Sequence, residues 1–374
     1  MQKTLDLKLA ELKRNPTSRV FILADAKDAD MAFGISSTGQ TPEGSQRSLG
    51  EYRDQMRQII CQALVDIVLM SASTSELITI REGAFDGSSV TPACRANDTT
   101  DIHLLAGGTY AQQPSRPFRT ALIDHIQAGK LDPTPAERAT GASLGLYSIT
   151  PNNDLNFDYP TLMAYNEFRE EAERKGFRHF LEVFDPNACG DHSPADLGRF
   201  INDLIVRTLA GVATRGRPIF LKVAYHGPAA MEELASFDPH LVPGILGGSS
   251  GTTFDAFHQL WEARKYGARA ALYGRMINNS EHQTTFIQHL RLLADGEIED
   301  PAEAVKSYHG SLQKLGIKPI RPLADDLQRS SRAAAYSGSA SVAVSSAQKP
   351  EPPTAKSAAA AVDRKTAGAE LDPV

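Results

Sequence analysis

Short apolar runs alternate with amphipathic stretches from residue 18 to about residue 315. The runs are rich in Val, Ile, Leu and Phe and stop at Gly, Asp or Ser, as strands buried on both faces do. They predict strands over 18–25, 65–71, 90–95, 142–148, 178–185, 217–227, 241–247 and 268–274. Between them, apolar residues recur at helical spacing over 48–64, 76–85, 118–128, 159–175, 195–215, 228–237 and 253–266. Two more helices, 281–294 and 301–315, close the series. Strand and helix alternating throughout predicts a parallel sheet with helices outside it. Eight such units are the size of a (β/α)8 TIM barrel. An open doubly wound sheet fits less well, because no Gly-rich dinucleotide turn follows the first strand.

The pattern divides the chain into three parts. Residues 1–17 form a charged, amphipathic N-terminal helical extension, residues 18–320 the barrel, and residues 321–374 an Ala/Ser/Pro-rich tail. The tail has too few large apolar residues to offset its ordering entropy and is expected to be disordered. A docking or targeting peptide in it is the alternative to a plain solvated tail.

Composition narrows the function classes. Of the 374 residues, 41% are hydrophobic and 22% charged, ordinary values for a water-soluble protein. A net charge of -6 argues against a nucleic-acid surface. The three cysteines, Cys61, Cys94 and Cys189, show no paired spacing, which fits a reducing cytoplasm rather than a disulfide framework. No run suits a membrane span, and the first residues lack the apolar core of a secretory signal.

The candidate chemistry starts from Lys222, set into the apolar run Phe220-Leu221-Lys222-Val223. Burial disfavours an ammonium, and a neutral lysine amine attacks carbonyl carbon to form a Schiff base. The plainer reading is a lysine that snorkels to water or pairs with a carboxylate. In a TIM barrel the site lies at the C-terminal ends of the strands. Residues expected there are Asp25, Asp98, Tyr147, Glu182, Lys222 and Tyr225. Glu182, one strand before Lys222, is placed to shuttle protons, or to hold Lys222 in a buried salt bridge. Asp25 would orient a substrate hydroxyl or cap a turn, and Tyr147 would relay a proton or pack against the wall. Gly247-Gly248-Ser249-Ser250-Gly251 after the seventh strand and Gly274-Arg275 after the eighth suggest a phosphate cradle, with a helix N-terminus near Thr252. Their bland reading is tight turns. Asp98 and Asp101 read as loop caps before metal ligands, and no histidine pair including His192 or His226 has metal-site spacing, so no metal is expected.

In order along the chain, these motifs resemble one family. They are Ala24-Asp25-Ala26-Lys27, Phe180-Leu181-Glu182-Val183, Phe220-Leu221-Lys222-Val223, Gly247-Gly248-Ser249-Ser250-Gly251 and Tyr273-Gly274-Arg275. Together they resemble the class I, Schiff-base aldolases of the deoxyribose-phosphate, tagatose-bisphosphate and archaeal fructose-bisphosphate aldolase superfamily. The resemblance implies an imine on Lys222, proton transfer by Glu182, and Asp25 near the reacting carbons. It implies a phosphorylated sugar held by Gly247, Gly248, Ser249, Gly274 and Arg275, with no cofactor and no metal. A homo-oligomer is expected as well. Two departures stand out. Strand four has no second lysine, leaving Tyr147 to take its place or the reaction to differ, and the segments 35–47 and 98–117 are long. The alternative is a sugar-phosphate-binding barrel with an isomerase or non-catalytic scaffold role.

Overall fold

The eight strands close on one another in chain order. In this computed structural model, which describes residues 1–41, 44–248 and 251–330, they are β1 (Ile22–Lys27), β2 (Ile67–Met70), β3 (Thr91–Arg95) and β4 (Leu144–Ile149). They continue as β5 (Arg178–Val183), β6 (Leu221–Val223), β7 (Gly244–Leu246) and β8 (Ala270–Tyr273). Each pairs in parallel with its chain neighbour, and β8 returns to β1, so the sheet is a closed (β/α)8 barrel. Among the described residues no helix is long and apolar enough to cross a membrane.

Alternation along the strands splits the core in two. Leu23, Val68, Cys94, Tyr147, Leu181, Val223 and Tyr273 pack outward with residues of the surrounding helices. Ile22, Ala24, Ile67, Leu69, Ala93, Leu146, Phe180, Phe220 and Leu272 form a separate cluster, the filled barrel interior. Phe180 and Phe220 stack there with ring centroids 4.5 Å apart.

The N-terminal segment is built into this interior. Leu5 and Leu12 of the helix Thr4–Arg14 belong to the interior cluster. Lys8 Nζ donates to Phe21 O and to Asp66 at the starts of β1 and β2, and Arg291 reaches the same two acceptors. The helix therefore plugs the N-terminal end of the barrel. Leu5→Ala should cost about 2–5 kcal/mol in denaturant unfolding, the usual range for an emptied core leucine site. It should leave chemistry at the opposite end unchanged.

Order also continues past residue 320, where the sequence places the start of a disordered tail. Residues 321–330 contain the short helix Leu323–Asp326, whose Asp326 is buried against the rest of the domain. Polar pairing holds this segment, and apolar composition does not register it: His309 Nε2 lies 2.9 Å from Asp326 Oδ2. The disorder expected over 331–374 falls outside the described residues.

Candidate active site

Three inward side chains lie in one row across adjacent strands. Ser148 on β4 is the Cα partner of Glu182 on β5, and Glu182 is the partner of Lys222 on β6. All three share the inward side with Phe180 and Phe220 and stand one layer nearer the C-terminal mouth. Lys222 Nζ lies 2.6 Å from Glu182 Oε1, with both side chains nearly fully buried. Ser148 Oγ donates to Glu182 Oε2 at 2.7 Å.

Arg95, the last residue of β3, extends this row. Its Nη1 donates to Ser148 Oγ at 3.0 Å, its Nη2 lies 3.5 Å from Glu182 Oε2, and its Nε donates to Asp28 Oδ2 at 2.6 Å. Burial works against the Arg95 charge, but Asp28 and Glu182 outweigh it and hold the guanidinium above its ordinary pKa. Asn97 fixes the backbone beneath: its Oδ1 accepts from Ser148 N and its Nδ2 donates to Ser148 O. The result is one chain of contacts, Asp28–Arg95–Ser148–Glu182–Lys222, around the barrel mouth. Asp28, Arg95, Asn97 and Ser148 are absent from the residues singled out in the sequence. Ser148 joins the row only through the register of β4 against β5, which sequence spacing does not give.

Two expected site residues face the other way. The sequence places Asp25 at the end of β1, but the strand runs on to Lys27, which leaves Asp25 mid-strand opposite Val68 and Tyr273. It points out of the barrel with Leu23 and Lys27. Lys27 Nζ lies 3.7 Å away, and neither Asp25 carboxylate oxygen has a hydrogen-bond partner among the described residues. The carboxylate contacting the mouth is Asp28. Tyr147 is likewise outward, packed on Phe168 and Tyr165 with centroids 4.4 and 5.2 Å away. Burial pushes its phenol up, and Ser148 takes the inward place on β4.

Asp25 carries a pH consequence of its own. Burial raises its carboxyl to about 6, with Lys27 opposing the shift, while burial lowers Lys27. The folded state then holds a proton that the unfolded state releases near pH 4, so this group's contribution is lost as pH rises from about 4 to about 6. The stability difference between wild type and Asp25→Asn, from denaturant midpoints, should fall over that window and level off above it. A flat difference would sink the assignment.

The proposed anion corner is only partly as expected. Gly247 and Gly248 follow β7, and Ser249, with Ser250, lies outside the described residues. Gly248 has φ +60, a turn conformation that favours glycine. A side chain at Gly247 would collide with the Tyr273 ring, and a Cβ on Gly274 would stand 2.7 Å from Ala26 O. Close packing accounts for both glycines. Arg275 begins the short helix Arg275–Asn278, its guanidinium 5.8 Å from the centre of the Phe33 ring.

The remaining candidates resolve as loop ties. Asp101 accepts from Ser115 and Thr150, and Asp98 from Thr120. His226 Nε2 lies 2.9 Å from Asp185 Oδ1. Among the described residues no group of three or more His, Cys, Asp or Glu side chains is arranged to hold a metal.

No protein-family model and no curated protein matches this sequence. Solved structures do match the fold. An archaeal fructose 1,6-bisphosphate aldolase is 14% identical, with a TM-score of 0.56 over 77% of this chain and 99% of its own. An archaeal fructose-1,6-bisphosphate aldolase with its catalytic lysine covalently bound to the carbinolamine intermediate is 15% identical, with a TM-score of 0.55 over 77% and 99%. A Corynebacterium glutamicum protein is 16% identical, with a TM-score of 0.52 over 79% and 94%. The barrel is thus similar in fold to Schiff-base-forming aldolases.

Proposed function

We propose that this chain is a carbon–carbon lyase acting through an imine on Lys222. The observation that carries the reading is the row Ser148–Glu182–Lys222, with a buried amine 2.6 Å from a buried carboxylate at the mouth of the barrel. The fold likeness to Schiff-base-forming aldolases supports it.

Each step can be assigned to residues in this row. Glu182 takes a proton from Lys222, freeing the nitrogen lone pair. The nitrogen bonds to the substrate carbonyl carbon, and the carbonyl oxygen, now carrying the electron pair, takes the proton back from Glu182. Glu182 next removes a proton from the bonded nitrogen and passes it to the carbinolamine hydroxyl, which leaves as water while the nitrogen lone pair closes the iminium. The cation then draws the electrons of the scissile carbon–carbon bond into an enamine as the β-hydroxyl gives its proton to the Glu182 carboxylate and an aldehyde departs. Protonation of the enamine and hydrolysis return Lys222. Ser148 and Arg95 keep Glu182 aimed at the nitrogen.

The substrate is a hydroxylated ketone or aldehyde. A phosphorylated sugar, the class implied by the family resemblance, would be received at Gly247, Gly248, Gly274 and Arg275. Sodium borohydride with candidate carbonyl compounds tests the reaction: a reduced adduct should appear by mass at Lys222. The second reading, an isomerase or silent barrel, draws on Ser148 standing on β4 where a second lysine is missing. It calls for no adduct with any carbonyl compound.

A further inference from the structure

A second charged cluster stands at the opposite end of the barrel from Lys222. Arg19 leads into β1, Arg269 leads into β8, and Arg264 lies in the last turn of the helix Thr253–Lys265 just before β8. Because β1 and β8 are paired, the three arginines share one corner of the N-terminal face. Arg269 ties that corner together. Its Nε donates to Ser18 O at 2.9 Å and its Nη1 to Ala268 O at 2.9 Å, joining the entry to β1 to the turn before β8. The Arg264 guanidinium lies against the turn at Gly296, where a Cβ would stand 2.7 Å from its Nη2.

The charges of this corner are unmatched. Among the described residues neither Arg19 nor Arg264 is in an ion pair, and the Arg264 Nε is buried with no hydrogen-bond partner. Burial and the guanidiniums of Arg264 and Arg19 hold Arg269 below its ordinary pKa, with no carboxylate opposing them. Burial, then Arg19, does the same to Arg264, against Asp295 and Glu299, while Arg291 adds to the repulsion. Asp295 is already gripped by Arg291 at both oxygens, and Glu299 is exposed. An arginine does not shed its proton to relieve such crowding. The fold therefore keeps both the repulsion and a stranded donor, which is costly unless an anion meets them. Guanidinium forks match phosphate oxygens, and a tetrahedral dianion can serve three forks where a carboxylate has only two oxygens.

We propose that Arg19, Arg264 and Arg269 form a phosphate site on the N-terminal face of the barrel. Its ligand is a phosphate group, either free or carried by a small ester. The site lies at the far end of the barrel from Lys222, so this ligand is separate from any molecule bonded there. The proposal stands whether or not Lys222 forms an imine.

The test follows thermal unfolding of the full chain in about 10 mM inorganic phosphate against chloride at matched ionic strength. Phosphate stabilises most proteins slightly by exclusion from their surface, so the readout is the difference between wild type and Arg264→Gln. The wild-type midpoint should rise by about 2 °C or more beyond that of the variant, the shift for a ligand roughly tenfold above half-saturation. Arg19→Gln, at an exposed position, should lose the same increment and decides the matter if Arg264→Gln does not fold. No rise in wild type overturns the proposal, and so does a folded variant of either kind that keeps the full rise. Glycerol phosphate at the same concentration separates the two sources. A larger rise than with inorganic phosphate assigns the site to an ester, and an equal or smaller one to the free ion.

Discussion

Lys222→Met is expected to abolish borohydride labelling and to lower turnover of any accepted hydroxyketone by roughly a thousandfold or more, about 4 kcal/mol of barrier. Methionine keeps the length of the side chain and removes the nitrogen. Glu182 retains Ser148 and Arg95 in this variant, so the barrel should still fold. The measurement is intact mass after reduction, with a rate assay on the same preparation. Glu182→Gln separates the two halves of the row: it leaves the amine in place but removes the proton carrier. Turnover should then fall by about a hundredfold to ten-thousandfold, the range for losing a general acid–base. Normal labelling and normal rates in Lys222→Met would remove the chemical reading and leave the barrel alone.

Arg95→Met should produce the largest loss of stability, about 3–5 kcal/mol in denaturant unfolding. The penalty for stripping one partner from a buried charge network is of that size. Asp28 and Glu182 would both be left facing a methionine, the first at the 2.6 Å contact and the second at 3.5 Å. The double variant Asp28→Asn/Arg95→Met should cost less than the sum of its parts, since the repulsion and stranded charge are shared. Arg95→Lys should recover only part of the loss. A single ammonium cannot serve Asp28, Ser148 and Glu182 in the directions that the guanidinium fork reaches. A cost below about 1 kcal/mol for Arg95→Met, the worth of an exposed ion pair, would show that the chain of contacts is not what holds the mouth.

The two variants probe different links. Lys222 and Glu182 stand out in the sequence because charge is costly inside apolar runs. Arg95 closes a run that ends at a long polar loop, where an arginine is unremarkable. Its importance comes from four acceptors, Asp28, the backbone oxygen of Asn97, Ser148 and Glu182, between 2 and 87 residues away. Asp326 is similar. Nothing near it in the chain marks it as the cap of a helix that begins at Thr253.

The sequence by itself determined the eight alternating units, hence the barrel, and the pairing of Glu182 with Lys222. Both follow from short-range regularities: the length of apolar runs, the spacing of amphipathic helices, and a charge set between apolar neighbours in each of two consecutive strands. What only the tertiary structure decided is which side of each strand a residue takes. Strands buried on both faces carry apolar residues at every position, so alternation does not distinguish the barrel interior from the helix layer. Asp25 lies on the outward side of β1 with Leu23, the end of the strand two residues later brings Asp28 to Arg95, and a single step on β4 exchanges Tyr147 for Ser148. Closure of the sheet fixes those sides, because only one face of each strand can meet the seven others across the axis.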